Sequence, residues 1–265
     1  MLGFSAKLPI SDEDRQWTDE GFLRLEKLLG RRRMLEAKVV LPTAEDFPDP
    51  YDKSATAAER LFHRVCAYMQ VSSAPVQLEI FADETEELRE ILPYWHGDEG
   101  RRAAGIYLHD GKDANRSQEE KPMVVAVRST QLKDPLALVA TMAHELGHVI
   151  LLGGSLLNPT ATPDHEPMTD LLTVFLGLGI FTANSAARFT QYQDERRQGW
   201  SMQRLGYLPE QVLGYALAKF AMERGEAKPD WAKHLCTNVW SYFKQSRRWL
   251  QHNTPALQRA AMGQL

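Results

Sequence analysis

The stretch Thr141-Met142-Ala143-His144-Glu145-Leu146-Gly147-His148-Val149-Ile150 decides how this chain is read. Leu136, Leu138, Val139, Met142, Leu146, Val149 and Ile150 give it an apolar, helix-like pattern, which predicts a helix over 135–152. Four residues of α-helix turn through about 400°. His144 and His148 therefore stand one turn apart on one face, where two imidazoles can share a tetrahedral metal. Zinc suits two imidazoles and a carboxylate. Glu145 lies about 100° round the helix; it stays out of the ligand pair but can reach a metal-bound water and take its proton as general base. The competing reading is a core helix whose two histidines are four apart by accident. Two imidazoles and a carboxylate among apolar neighbours are costly to bury without a shared partner, which favours the metal reading.

Catalytic zinc takes a third protein ligand and leaves the fourth position to water. The metzincin pattern is excluded, because the positions it needs as Gly and His are Leu151 and Gly154. Gly153-Gly154 ends the helix, and a polar loop with Pro159 and Pro163 follows. Asp164-His165-Glu166-Pro167-Met168-Thr169-Asp170 then leads into the next apolar helix, with Pro167 suited to its first turn. Asp164, His165, Glu166 and Asp170 are the candidates for the third ligand. Glu166 and Asp170 lie one turn apart on one face, and a ligand histidine usually donates its other N–H to a carboxylate or carbonyl. His165 offers an imidazole from the loop before the helix.

Working outward, 265 residues with 43% hydrophobic and 25% charged side chains make a folded globular chain. That excludes a disulfide scaffold, a disordered chain and a collagen-like repeat. The net charge, 31 − 35 = −4, gives no basic field to hold nucleic acid or an anionic membrane. Cys66 and Cys236 form no CxxC pair, so a reduced, cytoplasmic setting is expected. The N-terminal residues lack the apolar core of an export signal. Leu171 to Ala183, the longest apolar stretch, is too short and too interrupted for a bilayer.

Periodicity predicts helices over 13–30, 55–70, 135–152, 167–183, 209–224 and 229–249, with weaker segments at 185–204 and 255–263. Strands are expected at 76–81, 105–109 and 123–129, with a short one at 38–41. The fold class is therefore α+β, with a small mixed sheet early and helices late. Residues 1–153 would form an α+β lobe carrying the histidine helix, and 154–265 a helical lobe carrying the third ligand. Arg31 to Arg33 read as solvated, the gap 111–121 as a mobile loop, and His63 with Cys66 as core packing. Trp240, Tyr242, Phe243 and Trp249 read as lobe core.

The HELGH segment followed by Glu166-x-x-x-Asp170 resembles the gluzincin metallopeptidases, of which thermolysin is a familiar member. The resemblance covers about 135–175, and the spacing is slightly shorter than thermolysin's. It implies a zincin-like fold, zinc as cofactor and peptide-bond hydrolysis. His144, His148 and Glu166 would be the ligands, Glu145 the base, and Asp170 the carboxylate that holds a ligand histidine. The order of 105–109, 123–129 and the histidine helix is similar to the family's edge strand, inner strand and active-site helix. A peptide or protein substrate would then pair along Ile106, Tyr107 and Leu108. Gluzincins also use a Tyr or His on the oxyanion; Tyr215 and His234 are candidates, with core packing or capping as the competing role of each. Two alternatives stay open: a regulatory metallopeptidase cleaving one specific partner, as in the phage-repressor-cleaving group, and a zinc-binding scaffold without turnover.

Overall fold

The computed structural model describes residues 7–81, 105–108, 123–154, 156–158, 162, 164–193 and 208–254, with the backbone alone at 105–108 and 187–193. Within these residues the protein is α+β and mostly helical. Two compact units divide the chain: Pro42–His165, and Met1–Leu41 together with Glu166–Leu265. The expected loop at 111–121 and helix at 255–263 lie outside the described residues.

The unit Pro42–His165 carries the sheet and the histidine helix. Helix α3 (Ala55–Met69) is opened by Ser54, whose hydroxyl accepts the Ala57 N–H at 3.1 Å, and closed by Gln70 in the left-handed region. Strands β1 (Val76–Phe81), β2 (Gly105–Leu108) and β3 (Met123–Arg128) form a sheet in the order β1-β3-β2. Central β3 pairs parallel with β1 and antiparallel with β2, so the sheet is mixed. Its run Val125-Ala126-Val127 is buried, as an inner strand's side chains are. Asp134 caps the next helix, its carboxylate accepting the N–H groups of Leu136 and Ala137 at 3.1 and 3.2 Å. Pro135, which lacks an N–H, takes the first helical position.

That helix, α4 (Pro135–His148), packs on α3 and on the sheet and passes straight into a π-helical turn at Val149–Gly153. The combined length Pro135–Gly153 is apolar enough to cross a membrane, but two thirds of it is buried inside the protein, as a core helix would be. Length and apolarity do not distinguish the two cases; packing does.

The other unit contains α1 (Asp12–Leu29), α2 (Arg31–Leu35), α5 (His165–Phe175, from Glu166 on), α6 (Gly179–Gln193), α7 (Glu210–Glu223) and α8 (Thr237–Asn253). Its core includes Phe22, Leu25, Met34, Phe175, Leu213, Tyr215, Phe220 and Phe243. Helices α7 and α8 approach closely at Gly214, where an added Cβ would come within 2.7 Å of the Tyr242 Cβ.

Several expectations need correction. The single helix over 167–183 is two helices, because Gly177 turns to φ +86° and admits the Lys38 carbonyl where any Cβ would collide with it. Residues 38–41 form no strand; Val40 instead donates its N–H to the Gly177 carbonyl at 2.9 Å, a single bond where a strand needs a ladder. The 229–249 helix begins with a 3-10 turn at Asp230–His234 and becomes α-helical only at Thr237. The weak 185–204 segment is the end of α6 up to Gln193, and the rest lies outside the described residues.

Arg32 is solvated as expected, but Arg31 reaches Glu223 at 2.9 Å and the Arg33 guanidinium is half-buried, which lowers its pKa. His63 is exposed, so only Cys66 of that pair is core. Of the four aromatics on α8, Phe243 alone is fully buried, with Trp231 and Trp240 packed against it at 5.5 and 5.7 Å between ring centres.

Candidate metal centre

Helix α4 is apolar nearly all round, yet three polar side chains lie inside it. His144, Glu145 and His148 are 4, 3 and 6% exposed. The two imidazoles approach through their Nε2 atoms at 3.2 Å, with ring centres 4.8 Å apart and planes at 83°. Two nitrogens on one tetrahedral zinc, each at about 2.0–2.1 Å, would be about 3.3 Å apart. The observed separation therefore fits a shared ion. Nitrogen is also a ligand type zinc prefers, and both rings are held by a well-capped helix.

Among the described residues His144, His148 and Glu166 form a group in which one ligand atom of each lies within 4.8 Å of the other two. A carboxylate with two imidazoles is a donor set that suits zinc, and such a group could hold a metal ion. Glu166 is the second residue of α5 and half-buried. Its rivals from the same segment, Asp164 and His165, do not join the group.

His165 starts α5 and is half-buried. Its backbone N–H and its Nδ1–H both go to the Thr162 carbonyl, at 3.2 and 3.1 Å. A carbonyl oxygen only accepts, so the imidazole carries its hydrogen on Nδ1. The ring centre lies 5.9 Å from that of His148. No sequence signal marks a carbonyl, so the contribution of Thr162 was invisible beforehand.

Asp170, 2% exposed and one turn after Glu166, accepts the Leu208 N–H on Oδ2 at 2.8 Å. Thr173 closes the same turn by donating to the Asp170 carbonyl at 2.7 Å. The immediate exit from α4 is unusual as well. The Gly154 N–H reaches back five residues to Val149 at 3.1 Å, and such π-turns occur often at functional sites.

Tyr215 is fully buried in the helical unit, and its hydroxyl donates to Asp19 at 2.9 Å. Arg15 and Lys219 bind the same carboxylate at 3.0 and 3.2 Å. Burial, reinforced by the Asp19 charge, pushes the phenol pKa far above its ordinary value. Packing and a part-buried hydrogen bond thus occupy Tyr215. His234 is half-buried in the 3-10 turn, and its carbonyl accepts from Asn184 at 2.9 Å. Ile106, Tyr107 and Leu108 stand on β2, at one end of the strand order, paired with Ala126, Val125 and Val124. Their side chains lie outside what is described.

Compared with models of known families, with curated proteins and with solved structures, the chain matches none.

Proposed function

We propose that this chain is a zinc-dependent peptidase of the gluzincin type, with a zincin-like arrangement of sheet and helix. The observation that carries the reading is the pair of buried Nε2 atoms 3.2 Å apart with the Glu166 carboxylate in the same group. His144, His148 and Glu166 would hold the ion. When bound, zinc supplies Lewis acidity, polarising the scissile carbonyl and acidifying a water.

The remaining steps belong to the chain's own residues. His144 and His148 keep their Nε2 lone pairs for the ion, so each carries its hydrogen on Nδ1. Glu145 follows His144 directly and is buried; it takes a proton from the attacking water at a carboxylate oxygen. The same oxygen returns that proton to the departing amine as the C–N bond breaks. Burial keeps bulk water from competing for the proton. Asp170 is the carboxylate proposed to steady a ligand imidazole. An extended peptide would add to β2 by backbone hydrogen bonding. Tyr215 is left out of this scheme because its hydroxyl is committed to Asp19. The two free cysteines, one of them buried, support a cytoplasmic setting.

Metal content measured by plasma mass spectrometry tests this directly. Wild type should carry about one zinc per chain, Glu166→Ala should lose it, and Glu145→Gln should keep it while losing hydrolysis of a peptide library. Wild type without zinc after zinc is supplied, or Glu145→Gln with undiminished turnover, would end the reading.

A further inference from the structure

Helix α8 carries no acidic residue along its 17 positions, although the chain as a whole has more acid than base. Its cations are Lys244, Arg247 and Arg248. Measured round the helix from Lys244, at about 100° per residue, Arg248 lies near +40°, Arg247 near −60° and Trp240 near −40°. The four side chains therefore share one face, with Lys244 and Arg248 exposed and Arg247 and Trp240 half-buried. Val239, Phe243 and Leu250, on the far side, are turned into the core.

Such an arrangement is unfavourable by itself. Like charges three or four positions apart on a helix repel, and Lys244 stands in that relation to both arginines. Elsewhere the protein matches its charges: Arg15, Arg31, Arg32, Arg64, Lys219 and Arg224 each meet a carboxylate. Among the described residues the three cations of α8 meet none. Arg247 donates to the Ala227 carbonyl, and its guanidinium lies 5.6 Å over the Phe243 ring. The Lys244 ammonium lies 5.3 Å over Trp240, which is itself stacked on Phe243. These rings hold two of the cations against the helix, so less side-chain freedom is left to lose on binding.

We propose that this face of α8 is a docking surface for a short segment of a partner protein rich in Asp and Glu. The charge distribution selects that occupant. Helix α8 carries three positive charges, while all other residues sum to 28 − 35 = −7. The strip from Trp240 to Arg248 is about 12 Å long. A long polyanion such as nucleic acid runs past it into the field of that negative excess, whereas a segment with a few carboxylates does not. An anionic membrane needs apolar side chains to insert, and those of α8 face the core. Arginine adds paired hydrogen bonds to the attraction for a carboxylate, and Trp240 supplies apolar contact beside the charges. The surface stands independently of the metal centre.

The test uses the full-length protein and a fluorescein-labelled peptide of Glu-Ser repeats, with binding followed by fluorescence anisotropy. Wild type should bind the peptide, and added salt should weaken the complex because the charges are exposed. Lys244→Gln combined with Arg248→Gln should bind at least tenfold more weakly. Lys27→Gln combined with Lys133→Gln removes the same charge from exposed positions elsewhere and should stay within twofold of wild type. Lys244→Glu turns a repulsive pair into an attractive one, since Glu four positions before a cation favours a helix. It should lose at least tenfold in binding with a thermal midpoint no lower than wild type's, which separates lost docking from lost fold. The proposal is overturned if wild type leaves the peptide unbound, if both α8 variants stay within twofold of wild type, or if the Lys27 and Lys133 control falls as far as they do. It is equally overturned if an oligonucleotide of the same charge binds more tightly than the peptide, which would make nucleic acid the occupant.

Discussion

A part-buried polar cluster and a buried one invite comparison. In the helical unit Asp19 receives a phenol, a guanidinium and an ammonium from Tyr215, Arg15 and Lys219. Donors and acceptors match, and the negative carboxylate is offset by two cations. On α4, by contrast, two imidazole nitrogens face each other at 3.2 Å, and a carboxylate joins them within 4.8 Å. At most one hydrogen can lie between the two nitrogens. The first cluster is matched by charge pairing within the protein; the second is a group that could hold a metal ion. What separates the two is the donor set: one carboxylate met by hydrogen-bond donors in the first, two imidazoles and a carboxylate of the kind zinc takes in the second.

The comparison can be broken most sharply at Glu145. Glu145→Gln keeps size and burial but removes the proposed base, so turnover of a cleavable peptide should fall by about 10²–10⁴-fold, with zinc content unchanged by mass spectrometry. A smaller effect concerns stability. Zinc at a hundred times its dissociation constant should stabilise wild type by about 2.7 kcal/mol, read as a rise in thermal midpoint. His144→Ala should show no such rise.

The helical cluster should behave in the opposite sense. Tyr215→Phe leaves Asp19 short of one donor and should cost about 1–3 kcal/mol in urea unfolding. Its zinc-induced rise should equal that of wild type. A loss of zinc binding in Tyr215→Phe would show that the two clusters are not independent.

A last effect concerns pH. Burial pushes the Cys66 thiol up to about 12, whereas in the unfolded chain it titrates near 8.5. Its raised folded-state pKa means the contribution is fully present below about pH 8.5 and is lost as pH rises toward 12, by up to about 1.4 kcal/mol per pH unit. Cys66→Ala should flatten that alkaline slope between pH 9 and 10.5 in urea titrations, whatever its cost at neutral pH.

Much of the α+β order was legible because it is local. Ser54 and Asp134 announce helix starts, and the short apolar, valine-rich run Met123 to Arg128 announces a strand. The pairing of His144 with His148 was legible for the same reason, being fixed by one turn of helix. What the sequence hid depends on distant contacts. Asp19 and Tyr215 are 196 positions apart, and no periodicity relates them. Gly177 breaks a helix because the Lys38 carbonyl crosses there, which an apolar pattern cannot register. His63 lies on the exposed side of α3 although its neighbours Phe62 and Val65 are core, a matter of helical phase by one residue.

The Arg224 guanidinium shows what that distance implies for how the chain assembles. Its Nη1 donates to the carbonyls of Met34, Leu35 and Ala37 at 2.7, 2.8 and 2.9 Å, which closes the end of α2 with a residue made almost 190 positions later. Residues up to Leu41 are synthesised before Pro42–His165, but the unit they belong to is completed by Glu166–Leu265. During synthesis the intervening Pro42–His165 has all its own residues in hand before α7 exists, so it can collapse while α1 and α2 wait. Loop closure over such a span is entropically slow, and the waiting helices expose Phe22, Leu25 and Met34 meanwhile. The N-terminal helices are therefore the part of this protein most in need of shelter while the rest is being made.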